Sequence, residues 1–251
     1  MKKEKFLLIV VLIIIWQILS FLKVFPPYKL PSPVDVVRGF CDLLIAGTPP
    51  GYLLHKHALY SLYRVLWGYG LACLLSVPLG LLMGWSKSLH TMLSTLVDIV
   101  RPIPPLAWIP IAILWFGIGI KSAAFIIFLG AFPPILLSTI SGVNSINPRL
   151  IEAAKTLHAG EKDIFFKVLL PGSIPSIFTG MRIGIGIAWM TLVAAEFTGV
   201  KEGYGLGYMI MTSRDLQLPG EIIAGMLVIG VIGLIIDKGI RIAEAKIIKW
   251  N

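Results

Sequence analysis

The sequence predicts an all-α, polytopic membrane protein with six transmembrane helices. Three observations carry that. Hydrophobic residues make up 57 % of the 251-residue chain and charged residues 14 %, against about 25 % charge in a soluble chain. The mean hydropathy is +0.87. The apolar residues come in long unbroken runs, and a helix needs roughly 20 such residues to cross ~30 Å of hydrocarbon. Short alternating segments, the mark of an outer-membrane barrel, do not occur.

Taken in order, the expected spans are residues 6–22, 58–85, 91–116, 122–141, 174–198 and 220–237, forming one transmembrane domain over 1–251. The first follows Lys2, Lys3 and Lys5, as a signal peptide would. Lys23-Val24-Phe25-Pro26-Pro27 follows it without a small-x-small cleavage site, so it reads as a retained span. Residues 33–46 form an outer amphipathic segment. It begins after the stiff Leu30-Pro31-Ser32-Pro33 and ends at Thr48-Pro49-Pro50-Gly51. It either covers the bundle or docks a partner.

Lys and Arg placement orients the chain. With both termini cytoplasmic, that side holds Lys2, Lys3, Lys5, Lys87, Arg149, Lys155, Lys162, Lys167, Lys238, Arg241, Lys246 and Lys249. The other side holds Lys23, Lys29, Arg38, Lys56, Lys121, Lys201 and Arg214. The net charge of +9 is then mostly a topology signal. These cations are scattered over short loops, which excludes a nucleic-acid face. Cys41 and Cys73 stand in different environments, so neither a disulfide nor a metal site is expected.

One charged segment, Asn147–Pro171, stands between apolar runs, and the expected topology places it in the cytoplasm. Asn147-Pro148 has the form of a helix start, a capping side chain followed by Pro at the first position. A short helix over Arg149–His158 follows, and Gly160 suits the left-handed turn that would stop it. A second helix, Glu161–Leu170, turns Ile164, Phe165, Val168 and Leu169 to one side, and Pro171-Gly172 closes the hairpin. Ala153 and Ala154 allow another surface close to the backbone. Glu152 can cap amides or meet a cation on a partner. A hairpin resting on the membrane surface, touching nothing, fits the same pattern.

Within the spans, ionisable side chains are costly and mark function or pairing. They are Arg64, Asp98, Arg101, Arg182 and Glu196. Asp98 and Arg101 are spaced to pair on one helix, and Arg182 stands where it could snorkel. An anion on the path would need Arg64 or Arg101. Pro102, Pro104 and Pro105 interrupt the third span and free backbone carbonyls for neighbours or for water. The candidate translocation path is therefore Arg64, Arg101, Pro104, Pro105 and Glu196, with structural pairing as the competing role for each charge. Gly80/Gly84 and Gly180/Gly184 allow close helix packing, within the bundle or at a dimer interface.

Glu152-Ala153-Ala154 followed by Val168-Leu169-Leu170-Pro171 resembles the EAA loop of ABC importer permeases, E-A-A-x-x-x-G, nine residues, I-x-L-P. The spacing is met, with His158 at the consensus glycine and Gly160 two residues later. Further stretches resemble the nitrate/sulfonate/taurine/bicarbonate branch: Leu30–Pro33, Ser61–Val65, Gly80–Gly84, Arg101–Ala107, Leu114–Gly119, Gly180–Arg182 and Val193–Glu196. The resemblance covers about residues 28–240.

It implies the type I ABC importer permease fold in the cytoplasmic membrane of a prokaryote. It also implies a coupling helix that docks on the ATP-binding subunit through Glu152, Ala153, Ala154, Leu157, Gly160, Leu170 and Pro171. Its implied partners are two ATP-binding subunits, an extracytoplasmic solute-binding protein and a second permease copy. No cofactor or metal is implied.

The cargo it implies is a small anion of sulfonate, taurine, nitrate or bicarbonate type, with a vitamin precursor in the same branch as the alternative. Gly117–Ser122 lacks the core of a phosphate-binding loop, and Gly203–Tyr208 opens no strand–helix unit, so ATP hydrolysis is expected elsewhere. Two other classes compete. An ion-coupled secondary transporter would show inverted repeats. A membrane-embedded enzyme would need clustered His, Asp or Glu, whereas His55, His57, His90 and His158 fall at or beyond span ends.

Overall fold

The structure, a computed structural model, describes residues 2–48, 51–198 and 203–247, without the side chains of 2–6 and 9. Pro49, Pro50, Lys201 and Lys249, all used above, lie outside the described residues. Those described are helical, with one isolated bridge between Thr48 and Tyr52.

The helices are α1 (Lys2–Phe21), α2 (Pro33–Ile45), α3 (Leu54–Trp85), α4 (Lys87–Val100), α5 (Ile109–Phe116), α6 (Ile120–Asn144), α7 (Pro148–Thr156), α8 (Glu161–Ile164), α9 (Leu170–Phe197), α10 (Leu206–Asp215) and α11 (Pro219–Ile247). A 3-10 turn, Pro105–Trp108, precedes α5.

Four stretches are long and apolar enough to cross a membrane: α3, α6, the continuous helix Glu161–Phe197, and α11. The expected third span is a bent pair instead. Lys87–Val100 and Pro105–Phe116 meet at 81°, because three prolines within Arg101–Pro105 cannot continue a helix. Counting that pair as one gives five spans. The expected first span coincides with α1, whose described apolar part is Val10–Phe21. A sixth span is therefore not added by these lengths.

The chain packs as two units. One comprises residues 1–62 and 196–232, the other 63–195 and 233–251. In the first, α1 holds the Pro-rich connection: Trp16 Nε1–H donates to Pro31 O (2.9 Å) and Ser20 Oγ–H to Leu30 O (3.3 Å). Next, α2 starts with a full capping box. Asp35 N–H donates to Ser32 Oγ (3.1 Å), and Ser32 N–H (3.0 Å) and Oγ–H (2.7 Å) donate to Asp35 Oδ2.

Val36, Gly39 and Leu43 form the buried side of α2. A Cβ on Gly39 would fall 2.7 Å from the Glu221 backbone nitrogen, so α2 and the start of α11 touch backbone to backbone. Val37, Phe40 and Leu44 face an apolar recess shared with Leu227 and Val231 of α11. On the other edge, Asp35, Arg38 and Asp42 border a polar recess with Gln217 and Glu221. That two-sidedness fits a helix lying at an interface.

In the second unit α6 is the centre. Ile127, Ala131, Ile135 and Leu136 are fully buried. Glycines bring its neighbours close. A Cβ on Gly80 of α3 would meet Thr139 Cβ at 2.7 Å, and one on Gly180 of α9 would meet Ser138 Cβ at 2.6 Å. The small-residue pairs thus pack inside the bundle. Arg182 of α9 is ion-paired to Glu244 of α11, so it is held rather than snorkelling.

The Ser32 hydroxyl and then the Ser32 amide hold the Asp35 carboxyl below its ordinary value. A depressed carboxyl adds stability above its unfolded pKa, near ~3.9, and loses it as pH falls through the lower folded value. Asp35→Ala should therefore lower the thermal midpoint by more at pH 7 than near pH 3. Detergent-solubilised protein followed by differential scanning fluorimetry checks this, and an equal loss at both pH values would refute it.

Candidate functional site

The charged hairpin is built from local signals upward. Asn147 Oδ1 accepts from Arg149 N–H (3.0 Å) and Pro148 occupies the first turn. At the other end α7 stops in a Schellman motif. Ala159 N–H donates to Ala154 O (3.0 Å) and His158 N–H to Lys155 O (2.9 Å).

His158 itself takes the left-handed conformation, at φ 58°. The sequence assigned that turn to Gly160, and this is corrected: Gly160 is extended (φ −70°, ψ 164°) and serves as the N-cap of α8. A non-glycine residue pays about 1–2 kcal/mol for such a turn. Two backbone hydrogen bonds and the anchoring described next offset that cost.

The second helix does not close at Pro171-Gly172. A π turn over Phe165–Leu169 joins α8 to α9, with Leu170 N–H donating to Phe165 O. The wider turn carries the helix past Pro171, which has no N–H to give. Asp163 and Lys167 pair across one turn at 2.7 Å, and the Lys167 ammonium holds the Asp163 carboxyl below its usual range.

The hairpin has two apolar faces. Ile151, Ala154 and Ala159, with Phe165, Val168 and Leu170, pack on a core of Leu81, Val143, Ile164, Leu169 and Ile177. The opposite face of α7 carries Leu150 (57 % exposed), Ala153 and Leu157 (82 % exposed), at positions i, i+3 and i+7, with Glu152 exposed beside them. The paired alanines therefore divide: Ala154 faces the core and Ala153 faces outward. Leu170 and Pro171 lie at the root of the hairpin, both half-buried.

The intramembrane charges separate as well. Arg64 is fully buried. Asp98 and Arg101 are both exposed and do not pair, which corrects the pairing their spacing allowed. Arg101 caps the C-terminal end of α4 and shares a cavity of about 300 Å³ with Pro105; Pro104 is the N-cap of the 3-10 turn that begins at Pro105.

Glu196, in the first unit, is fully buried. Its carboxylate accepts from Ser61 Oγ–H (2.8 Å) and Gly207 N–H (2.9 Å), while Ser61 Oγ accepts from Leu206 N–H (2.9 Å). It thus caps α10 across the fold, a favourable place for an anion. Gly205 sits against it; a Cβ there would lie 2.6 Å from the carboxylate carbon.

Next to it the buried His57 accepts from Gly205 N–H at Nδ1 (3.0 Å), leaving Nε2–H to donate to Tyr52 O (3.2 Å). The tyrosines Tyr52 and Tyr60 pack on Tyr204. Sequence reasoning had His57 beyond a span end and gave Ser61 no role. Gly205, Glu196 and Leu206, which join them, lie more than a hundred residues away, and no spacing rule reaches that far. No group of three metal-ligating side chains occurs among the described residues.

These features define a polytopic helical protein whose polar hairpin carries an outward apolar stripe. Residues 76–247 match the family described as the binding-protein-dependent transport system inner membrane component. A Methanocaldococcus jannaschii protein named as an ABC transporter permease is 43 % identical over 95 % of this chain and 88 % of its own length. The taurine transport system permease protein TauC of Escherichia coli is 35 % identical over 96 % of this chain and 87 % of its own.

A chain from a structure of the MetNI methionine ABC transporter in inward-facing conformations has the same fold, with a TM-score of 0.59 at 23 % identity over 77 % of this chain and 92 % of that one. The chain belongs to the family of inner-membrane components of binding-protein-dependent transport systems. It is a translocation subunit rather than an enzyme, and membership implies an ATP-binding subunit and a solute-binding protein as partners.

His158→Gly should stabilise the protein by up to about 1 kcal/mol, the left-handed cost less the freedom glycine returns to the unfolded chain. Gly160→Ala should be nearly neutral, since its Cβ would meet nothing closer than Asp163 Oδ2 at 3.9 Å. Thermal midpoints of the two variants decide; the reverse order would contradict the assignment of the turn.

Proposed function

We propose that residues 1–251 work as one six-span permease domain, with α1 as the first span and the bent pair as the third. Two copies form the path of an ATP-driven importer for a small oxyanion delivered by an external binding protein. Both termini and the hairpin lie in the cytoplasm, as the distribution of Lys and Arg supports.

The observation that carries the coupling reading is the outward stripe of Leu150, Ala153 and Leu157 on an otherwise polar helix. Water does not favour 82 % exposure of a leucine on a surface held this firmly. Glu152, Ala153 and Leu157 meet the ATP-binding subunit. Ala154, Gly160, Leu170 and Pro171 hold the hairpin in the pose that docking needs, and each of two ATP-binding subunits takes one hairpin.

ATP-driven closure of those subunits draws the two hairpins together and turns the path outward; their reopening returns it inward. The hairpin continues into α9 as one helix and packs on Leu81 and Val143, so a displacement at Leu157 is carried into α3, α6 and α9. Arg64, Arg101, Pro104, Pro105 and Glu196 belong to the path or hold its walls. The oxyanion reading draws on relatives named for taurine (TauC) and for nitrate (the import permease protein NrtB of Synechocystis).

Leu157→Asp places a charge in the docked interface and should cost about 2 kcal/mol or more, at least a tenfold loss of ATP-binding subunit recovered by co-purification. Leu234→Ala, on an exposed side of α11, is the control and should lose nothing. Retained association and ATP-dependent uptake in Leu157→Asp would end the coupling reading.

A further inference from the structure

The bent span leaves a cavity of about 300 Å³ in the second unit, at the lower end of the range for small-molecule sites. It is bounded by Arg101, Pro105 and Trp108 from the bent span, Gly130 and Pro133 from α6, and Ile187 from α9. Both helical elements that meet here are interrupted chemically. Prolines break the bent span between Val100 and Pro105. Pro133 and Pro134 lack the N–H groups that would close on Leu129 O and Gly130 O, and both of those residues line the cavity.

Backbone faults of this kind do not face lipid; they persist in a membrane where they line water or protein. Arg101 points to the same conclusion. Its guanidinium has no acidic partner among the described residues, and an uncompensated cation is costly in hydrocarbon. The Trp108 indole N–H likewise has no acceptor among the described residues. The cavity therefore offers a fork of cationic donors and a neutral donor, set in apolar walls.

We propose that this cavity is a transient subsite for a small oxyanion, with the Arg101 guanidinium as its counter-charge and the Trp108 indole N–H as a second donor. Arg64 is not the equivalent group, because it is fully buried while Arg101 is open to the cavity. The guanidinium matches a planar or tetrahedral oxyanion, and the apolar wall keeps the hold weak enough to release it. This rests on the proposed import of a small anion, and the test separates the two.

The test uses the permease assembled with its ATP-binding subunit and external binding protein in proteoliposomes, on a background in which the two free cysteines, Cys41 and Cys73, are replaced. Ile103→Cys places a thiol beside Arg101. Its rates of modification by the anionic sulfonatoethyl and the cationic trimethylammonioethyl methanethiosulfonates are measured and divided by those of a free thiol.

The expected result is at least a fivefold preference for the sulfonate reagent, kept in Arg101→Lys and collapsed in Arg101→Gln. An unchanged ratio in Arg101→Gln, or a thiol neither reagent reaches, overturns the subsite. Leu129→Cys reports on the same cavity from α6 if Ile103→Cys does not assemble. Uptake of taurine, nitrate and bicarbonate is followed in parallel. No uptake with the charge preference intact sinks the cargo reading and leaves the anion subsite standing.

Discussion

The constraint that orders this structure is the absence of water in the hydrocarbon layer. Every backbone N–H and C=O there must find a partner within the protein, and each failure costs several kcal/mol. The second unit meets this with long helices packed on α6, where glycines on α3 and α9 let the backbones approach. The exceptions are few and concentrated. The bent pair over 87–116 breaks at its prolines, α6 carries Pro133 and Pro134 at the same cavity, and Glu196 is buried where the Gly207 amide of α10 and the hydroxyl of Ser61 hold it. Irregular backbone and unscreened charge thus gather at cavities and helix ends instead of facing lipid.

The charged hairpin obeys the opposite constraint. Its backbone is satisfied by an Asn cap, a Schellman turn and a π turn. What it leaves unsatisfied is hydrophobic surface, carried by Leu150 and Leu157. On the proposed reading, a hairpin fixed on one face and apolar on the other acts as a lever. Ile151 and Ala154 anchor it to the core, and the continuous helix from Glu161 to Phe197 links it to a whole span.

Much of this was legible in the residues themselves. Long apolar runs located α3, α6, α9 and α11, because burial in hydrocarbon requires length and composition more than any particular packing. Asn147-Pro148 marked the start of α7, and the apolar side of the second hairpin helix, Ile164, Phe165, Val168 and Leu169, is the side that packs. The division between Ala153 and Ala154 was not legible, since it depends on which face meets a core assembled from α3, α6 and α9. Nor was the role of Glu196, whose partner Ser61 is 135 residues away. The turn at His158 was missed because glycine is the usual left-handed residue, and Gly160 stood nearby. Pro171 was read as a stop because the π turn that absorbs it has no sequence signature.

On the proposed reading ATP, acting through the hairpin, drives transport. The most direct measurement uses proteoliposomes holding the permease, its ATP-binding subunit and external binding protein, with ATP confined to one side of the membrane and labelled cargo on the other. Coupling through the hairpin gives accumulation against a gradient only when ATP is on the side of residues 147–171, and none from a proton or sodium gradient alone. Accumulation that needs an ion gradient, is abolished by ionophores and proceeds without ATP would contradict it.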